Sequence, residues 1–364
     1  MFFKNLELRY PPFGHIMYFF RDFWPYLFVI IAAFALLILG SYKIHKKPID
    51  EKKKKIIVTV LFTLFVSVLI YSFFEAYFRY RYNAPDGLGF LKVSNKWKDR
   101  HVVLNDDFFR DKKFDANKKE GTTRIGVLGD SVTFGGGIEN VENRFSNLLE
   151  KKLKESGKNV EVYNLGRPGY DTSTEIPVYQ AAKQYKFDIL VWEYFINDVQ
   201  PGDKSTGAAI INKYGKKDKI VTFFSNHSYF FDYMYWRLSS KYQKAFQEIR
   251  TADVSQYKNE AVLNHHKEDI KNLMEEIKSQ NTKVVVIIFP SNILLGPNYP
   301  KFIPEMMSAY FREQGAIVYD LLPDLIDKDP KTLVASKFDP HPNEIVHAIA
   351  ADRLFEIINP LLEK

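Results

Sequence analysis

The chain has 364 residues, of which 46% are hydrophobic, and it carries a net charge of +7 and no cysteine. This length and hydrophobic content allow one large domain with a full core plus a smaller part, and they exclude a disordered chain. The absence of cysteine excludes disulfides, thiolate zinc sites and cysteine nucleophiles. The segment 43–55 holds seven lysines against two acidic residues, which accounts for five of the seven net positive charges. Because the rest of the chain is nearly neutral, we do not expect a nucleic-acid-binding surface.

Two uncharged stretches of roughly 20 residues, Phe23–Tyr42 and Ile56–Phe74, lie on either side of the lysine-rich segment. As helices rising about 1.5 Å per residue, each would cross the roughly 30 Å hydrocarbon layer of a membrane. A core helix of this length in a soluble protein normally has a polar face, and neither stretch has one. We therefore expect an N-terminal tail at 1–22 and a two-helix transmembrane hairpin at 23–78. Since short lysine-rich loops stay cytoplasmic, everything after the hairpin is expected in the periplasm or outside the cell.

The remainder of the chain divides into a polar part and a part with alternating patterns. Residues 79–121 lack a clear period, so we interpret them as a linker. From 122 to 364, short runs rich in valine and isoleucine alternate with helical patterns, which predicts a parallel sheet covered by helices. An insertion at about 200–282 contains the aromatic stretch 223–242. We expect that stretch to be an amphipathic helix on the sheet, and the alternative is an element that covers the site or rests on the membrane.

Polar residues follow the predicted strands, at the edge of the sheet where ligands bind in such folds. The first strand leads to Ser131, the second to Gly169 and the third to Asn197. Near the C-terminus Asp339 and His341 are two residues apart, so an extended backbone would point both side chains to the same side. Acyl transfer by a serine requires a nucleophile, a base, an acid that orients the base, and donors for the oxyanion. These four segments supply that set.

Each of these residues also has an ordinary structural interpretation. Ser131 could instead begin a helix as its N-cap, and Gly169 and Asn197 could be turn residues. Gly166 is an alternative oxyanion donor. His347 is a rival base, although its position inside the last predicted helix favours a packing role. Their joint occurrence at strand ends favours the catalytic interpretation.

Other motifs for catalysis and binding fit less well. Gly135–Gly137 is not followed by the lysine and hydroxyl residue of a phosphate-binding loop. Thr133 stands where the elbow of an α/β-hydrolase has its second glycine. No spacing of histidines and carboxylates resembles a metal site, so we expect neither a metal nor a cofactor.

The segments GDSVTFGGGI, NLGRPGYDT, ND and DPHPN occur in the order found in the SGNH, or GDSL-type, hydrolases and acyltransferases. The chain from about 123 to 364 resembles that family. The resemblance implies an α/β fold: a flavodoxin-like, three-layer domain with a mainly parallel five-stranded sheet. The sequence departs from the family at Phe195, where glycine is frequent, and in the spacing of two between aspartate and histidine, where many members have three.

Five residues match the family's catalytic positions. By resemblance, Ser131 is the nucleophile, His341 is its base and Asp339 is the partner of that base. Gly169 and Asn197 are similar to the oxyanion donors, which act together with the backbone amide of Ser131.

The resemblance implies a membrane-anchored serine esterase or O-acyltransferase. Its expected substrate is an acyl ester, with acetyl as the expected group, of an envelope glycan or lipid. The expected partners are this O-acylated carbohydrate or lipid, the membrane lipids and a membrane protein. The alternative is a non-catalytic subunit that keeps the fold as a scaffold in a membrane complex. The complete set of serine, asparagine, histidine and aspartate favours the enzyme.

Overall fold

The computed structural model describes residues 14–200 and 205–363, which form two compact units. Most of the tail expected at 1–22 therefore lies outside the described residues. In the described chain, the first unit consists of residues 14–83, Leu91–Lys96 and Lys217–Leu238. The second unit consists of Ala84–Phe90, Trp97–Lys216 and the residues from Ser239 onward.

Helices and strands are numbered along the chain. The α-helices are α1 (Gly14–His45), α2 (Glu51–Tyr80), α3 (Val93–His101), α4 (Ser131–Phe134), α5 (Phe145–Glu155), α6 (Thr172–Ala182), α7 (Ser205–Gly215), α8 (Lys219–His227), α9 (Tyr229–Leu238), α10 (Lys241–Gln256), α11 (Glu260–Ser279), α12 (Phe302–Glu313), α13 (Leu322–Leu325) and α14 (Glu344–Leu361). The strands are β1 (Thr123–Leu128), β2 (Val160–Asn164), β3 (Ile189–Tyr194), β4 (Lys283–Ile288), β5 (Ile317–Asp320), β6 (Val334–Ser336) and β7 (Asp339–Pro342).

Two long apolar helices, α1 and α2, form most of the first unit and pack against each other. The side chain of Asp50 caps α2 by accepting the N–H of Lys53 at 3.3 Å. Each helix is long and apolar enough to cross a membrane, and only 6% of the most apolar window of each is buried. The core helix of a soluble protein would be mostly buried. The two helices are therefore compatible with a membrane hairpin.

The second unit is built on a five-stranded sheet whose order is β2-β1-β3-β4-β5, with all neighbouring strands parallel. Strands β1, β3 and β4 are rich in valine, isoleucine and leucine, and nearly all their residues are buried, because helices cover such a sheet on both faces. The direction of strand progression reverses between β1 and β3. A fold of this kind binds its ligand in the crevice at that reversal, beyond the carboxyl ends of the strands. The expected α/β fold with a flavodoxin-like sheet is confirmed.

Packing on one face of β3 shows how the helices attach to the sheet. Trp192 Nε1 donates to Glu175 Oε2 of α6 at 2.8 Å, and the Tyr194 hydroxyl is 2.8 Å from His266 Nε2 of α11. The ring of Phe311 in α12 contacts both Trp192 and Tyr194 edge-on. Helix α5 packs against α14 and β2. These contacts attach the helices to the sheet.

Much of the segment 79–121, interpreted above as a linker, is folded. It contains α3, and its residues from Trp97 onward belong to the second unit. Phe109 and Phe114 lie in the hydrophobic core, where Phe114 stacks on Tyr163 with ring centroids 4.4 Å apart. Single aromatic residues that reach the core from irregular backbone produce no period in the sequence, which explains the difference.

The aromatic stretch 223–242 also differs from the expectation of a helix packed on the sheet. Its residues up to Leu238 fall in α8 and α9, which belong to the first unit with α1 and α2. An amphipathic pattern shows which residues are buried, but not which surface buries them.

Candidate active site

The chain turns sharply from β1 into the short helix α4, whose first residue is Ser131. The N-cap of this helix is Asp130, whose Oδ1 accepts the N–H of Val132 at 2.7 Å. The interpretation of Ser131 as the N-cap is therefore wrong. Gly129 is required for the turn, because a Cβ there would lie 2.2 Å from Thr133 Oγ1.

The two-stranded sheet of β6 and β7 brings the C-terminal acid and histidine to Ser131. His341 Nε2 lies 2.8 Å from Ser131 Oγ. On the other side of the ring, His341 Nδ1 makes a short hydrogen bond to Asp339 Oδ1. Asp339 Oδ1 also accepts the backbone N–H of His341 at 3.1 Å. A carboxylate at Nδ1 fixes the tautomer whose Nε2 has a free lone pair, which is the form that can accept the serine proton.

The environment of His341 changes its basicity. Burial by itself lowers the pKa of the imidazole, but the charge of Asp339, the hydrogen bond to it and the charge of Asp130 outweigh this effect and raise the pKa above the ordinary histidine value. An imidazole that binds a proton more readily is a stronger base. The geometry and the electrostatics of the contact therefore favour proton transfer from Ser131.

A hydrogen bond to Tyr170, the residue after Gly169, brings Asn197 close to Gly169. Asn197 Nδ2 donates to the carbonyl oxygen of Tyr170 at 3.3 Å, and Gly169 directly precedes Tyr170 in the chain. The Asn197 side chain also lowers the pKa of Asp130, the neighbour of Ser131, against the larger effect of burial, which raises it. Gly169 has φ of +71°, and a Cβ built on it would meet nothing within 4 Å. Open space next to this backbone leaves room for a ligand group.

The alternative donor Gly166 has a different role. Its N–H donates to Asn164 Oδ1 at 3.0 Å, and a Cβ on Gly166 would lie 2.2 Å from the backbone nitrogen of Phe134. Gly166 thus packs against α4, and its amide is already used. This disfavours Gly166 as the oxyanion donor.

His347, the rival base, is completely buried in α14. Its Nδ1 accepts the N–H of Phe145 at 3.1 Å, and its ring stacks on the Phe145 ring. Burial and the nearby charge of Arg144 lower its pKa to about 3. His347 is therefore a neutral packing residue.

Four buried carboxyl groups lie close to the turn that contains Ser131, and we did not predict them. Burial raises the pKa of Asp130, Glu175, Glu193 and Asp198, and mutual repulsion contributes for the last three. Glu193 Oε2 accepts the N–H of Asp130 at 3.2 Å and the hydroxyl of Thr133 at 3.1 Å. The sequence signal is an acid in the middle of a buried apolar strand, LVWEYF. Glu193 ties the end of β3 to the turn that presents Ser131.

A buried guanidinium holds the glycine-rich loop after α4. Arg110 donates to the carbonyl oxygens of Gly135 at 2.8 Å and Ile138 at 2.7 Å. The carbonyl oxygen of Gly135 also accepts the N–H of Ile138 at 3.1 Å, so Arg110 adds a second hydrogen bond to that acceptor and joins both ends of the loop. Arg110 comes from the segment interpreted as a linker, so the second unit includes residues that precede β1.

The chain is similar to several known proteins. The model of the GDSL-like lipase/acylhydrolase family matches residues 127–349. No curated protein matches the chain. Among solved structures, the chain is similar to a psychrotrophic esterase, EstA, from Pseudoalteromonas sp., with 15% identity, 66% of this chain and 100% of that chain covered, and a TM-score of 0.38. It is also similar to a lipase/acylhydrolase from Enterococcus faecalis, with 15% identity, coverage of 65% and 96%, and a TM-score of 0.41. A third similar structure is an acetyl xylan esterase, with 14% identity, coverage of 65% and 99%, and a TM-score of 0.41.

The family match spans more than half of the chain. It includes the turn with Ser131, the loops with Gly169 and Asn197, and the strand with Asp339 and His341. The chain therefore belongs to the GDSL-like lipase/acylhydrolase family, whose members are esterase-type hydrolases of the SGNH fold.

Proposed function

We propose that the protein is a membrane-anchored serine esterase or O-acyltransferase in which Ser131 is the nucleophile. One observation carries this proposal: the continuous contact from Ser131 Oγ through the His341 ring to Asp339. A serine hydroxyl is a weak nucleophile near neutral pH and becomes effective when a base within about 3 Å takes its proton. The contact meets that requirement.

The reaction runs in two steps. Ser131 Oγ attacks the ester carbonyl while His341 Nε2 takes its proton, and the proton then goes to the leaving alkoxide as the bond to it breaks. The acyl group is now an ester on Ser131. His341 next takes a proton from water or from an acceptor hydroxyl, which attacks that ester. As the ester bond breaks, His341 returns the proton to Ser131 Oγ and the serine hydroxyl is restored. Gly169 N–H, Asn197 Nδ2–H and the Ser131 N–H stabilise the oxyanion in both steps.

The two apolar helices and the positive charge of the loop between them support a side of the membrane for the second unit, and with it a class of substrate. The two apolar helices support attachment to a bilayer, and the lysine-rich loop 43–55 supports a cytoplasmic position for the turn between them. The second unit, which contains Ser131 and is the catalytic unit of this proposal, then faces the periplasm or the exterior. Its substrates there are O-acylated glycans or lipids of the envelope. Phe195 stands two residues before Asn197, where the family often has glycine, and we propose a short acyl group such as acetyl.

A fluorophosphonate probe tests the catalytic part of the proposal, because only an activated serine reacts with it. The purified full chain should be labelled once, and the label should disappear in Ser131→Ala. Ser255→Ala, a change at an exposed serine of α10, is the matched control and should label normally. A wild-type chain that folds but does not label would instead favour the non-catalytic subunit.

Topology is tested separately in the cysteine-free chain. Lys46→Cys in the loop and Lys328→Cys on the surface of the catalytic unit are exposed sites. In intact cells, or spheroplasts where an outer membrane blocks access, a membrane-impermeant thiol reagent should label Lys328→Cys and not Lys46→Cys. The reverse pattern would overturn the proposed orientation.

A further inference from the structure

The helix pair α8–α9, residues 217–238, is attached to the end of α2 through a buried carboxylate. Glu75 Oε2 accepts the Ser228 hydroxyl at 2.6 Å and the N–H of Phe230 at 3.0 Å. Glu75 Oε1 accepts the N–H of Tyr229 at 3.1 Å and pairs with Arg79 at 2.9 Å. Glu75 thus binds the N–H groups at the start of α9, which a helix cannot satisfy by itself. A fully buried carboxylate with these partners fixes the helix pair firmly to α2.

This attachment lies at the end of the apolar stretch of α2. The uncharged stretch 56–74 is about 28 Å long as a helix, close to the roughly 30 Å hydrocarbon layer. Glu75 is the first charged residue after it. Phe230 of α9 contacts the rings of Tyr71, at 5.6 Å, and Phe74, at 5.1 Å, both inside the uncharged stretch. The start of α9 therefore sits at the level where α2 would leave the hydrocarbon.

Helix α8, which ends next to this attachment, exposes an apolar stripe. Ile220, Phe223 and Phe224 have the i, i+3, i+4 spacing of one helix face and are 71%, 58% and 46% exposed. Ser225 is buried on a second face, and Thr222 is an exposed polar residue about 160° around the helix from Ile220 and Phe224. Aromatic side chains on such a face are typical of helices that lie in the membrane interface.

We propose that α8 is an interfacial membrane helix, with Ile220, Phe223 and Phe224 inserted among the lipid headgroups. The anchor then consists of two spanning helices and a third helix that lies along the surface, held at its depth by Glu75. Lys219, exposed at the start of α8, can meet anionic headgroups. This inference rests on the proposed membrane anchoring and adds a surface that length and hydropathy alone do not reveal.

Spin labels at single cysteines test the inference in the full chain, reconstituted in vesicles of phosphatidylcholine and phosphatidylglycerol. Ile220→Cys and Phe224→Cys report on the stripe, Thr222→Cys is the matched control on the same helix, and Leu64→Cys reports on the middle of α2. Collision rates with oxygen, which concentrates in lipid, are compared with those of a water-soluble nickel chelate. Esterase turnover of each labelled variant checks that it is folded.

The labels at Ile220 and Phe224 should collide with nickel several-fold less often than the label at Thr222. Equal nickel collision at all three α8 sites, with Leu64 protected, would overturn the inference while leaving the anchoring intact. If Leu64 is also open to nickel, the membrane anchoring itself fails, and the inference fails with it.

Discussion

Gly136 lies directly against the imidazole of His341: a Cβ built on this glycine would be 3.0 Å from both Cγ and Nδ1 of the ring. Such a contact is closer than most real Cβ contacts, so a side chain at this position would push the imidazole ring away. The glycine therefore lets His341 occupy the position from which its Nε2 reaches Ser131. Gly136 lies in the loop whose carbonyl oxygens, those of Gly135 and Ile138, accept hydrogen bonds from Arg110.

Gly136→Ala should shift the ring by a few tenths of an ångström and lower kcat by about tenfold, because small misplacements of a catalytic group are costly. The melting temperature should change little. Gly207→Ala is the matched control: its Cβ would meet nothing within 4 Å in α7, so stability should be equal or up to about 1 kcal/mol higher. Equal kcat in Gly136→Ala and wild type would show that the glycine does not position the base.

Ser131 and His341 should behave as one catalytic unit. We expect Ser131→Ala, His341→Ala and the double variant each to lose activity by on the order of 10³-fold or more, with no further loss in the double variant. Steady-state turnover of a chromogenic acetate ester, with melting curves for folding, measures this. Additive losses would mean that the two side chains act independently and that the contact between them is incidental.

Asn197→Ala should lower kcat by roughly 10²- to 10³-fold with little change in KM, since an oxyanion donor acts mainly in the transition state. The hydrogen bond from Asn197 to the Tyr170 carbonyl is a long one, so its loss should affect stability only slightly. A well-folded Asn197→Ala with normal turnover would remove this residue from the oxyanion site.

The pH dependence of activity should report the raised pKa of His341. The base must be neutral, so kcat/KM should rise with pH through a midpoint above the ordinary histidine value of about 6.5. Asp339→Asn removes the charge that raises the pKa, so the midpoint should move down, while kcat falls by about 10⁴-fold as the tautomer is lost. An unshifted midpoint in Asp339→Asn would assign the titration to another group.

Glu193 should make stability depend on pH. Burial raises the pKa of Glu193 in the folded state above its unfolded value of about 4.3. The contribution of the protonated side chain to the free energy of unfolding is therefore complete below about pH 4.3 and is lost as pH rises toward the folded pKa. Glu193→Gln cannot titrate, and its amide oxygen can still accept the Asp130 N–H. Relative to wild type, its melting temperature should therefore improve steadily from pH 4 to pH 8. Parallel melting curves over this range would show that Glu193 does not titrate.

The sheet and the proximity of the candidate site residues could be predicted from the sequence, because both depend on local signals. Runs of valine and isoleucine indicated the buried strands, and their ends placed Ser131 and Asn197 at one edge. The short spacing of Asp339 and His341 requires only an extended backbone to put both on one side, and β7 provides it. These features follow from chain geometry over a few residues.

The rest depends on contacts between distant residues. In the sequence, Arg110 has the pattern of a surface charge in a polar stretch. The structure shows that its guanidinium is buried against backbone carbonyl oxygens. Glu193 is an unexpected charged residue in an apolar strand, and its contact with the turn at Asp130 is visible only in the folded structure. The sequence of residues 223–238 indicates an apolar face. Their attachment to α2, however, depends on Glu75, about 150 positions earlier.

The two compact units are interleaved along the chain, because 217–238 belongs with α1 and α2 although the residues before and after it belong with the sheet. If α1 and α2 anchor the protein as proposed, a single proteolytic cut after α2 would therefore not give a clean soluble product. The released fragment would keep α8 with its exposed phenylalanines, and Ser228 would lose its partner Glu75. Such a fragment should aggregate or return to lipid surfaces, so a diffusible form of this esterase requires excision of 217–238 as well.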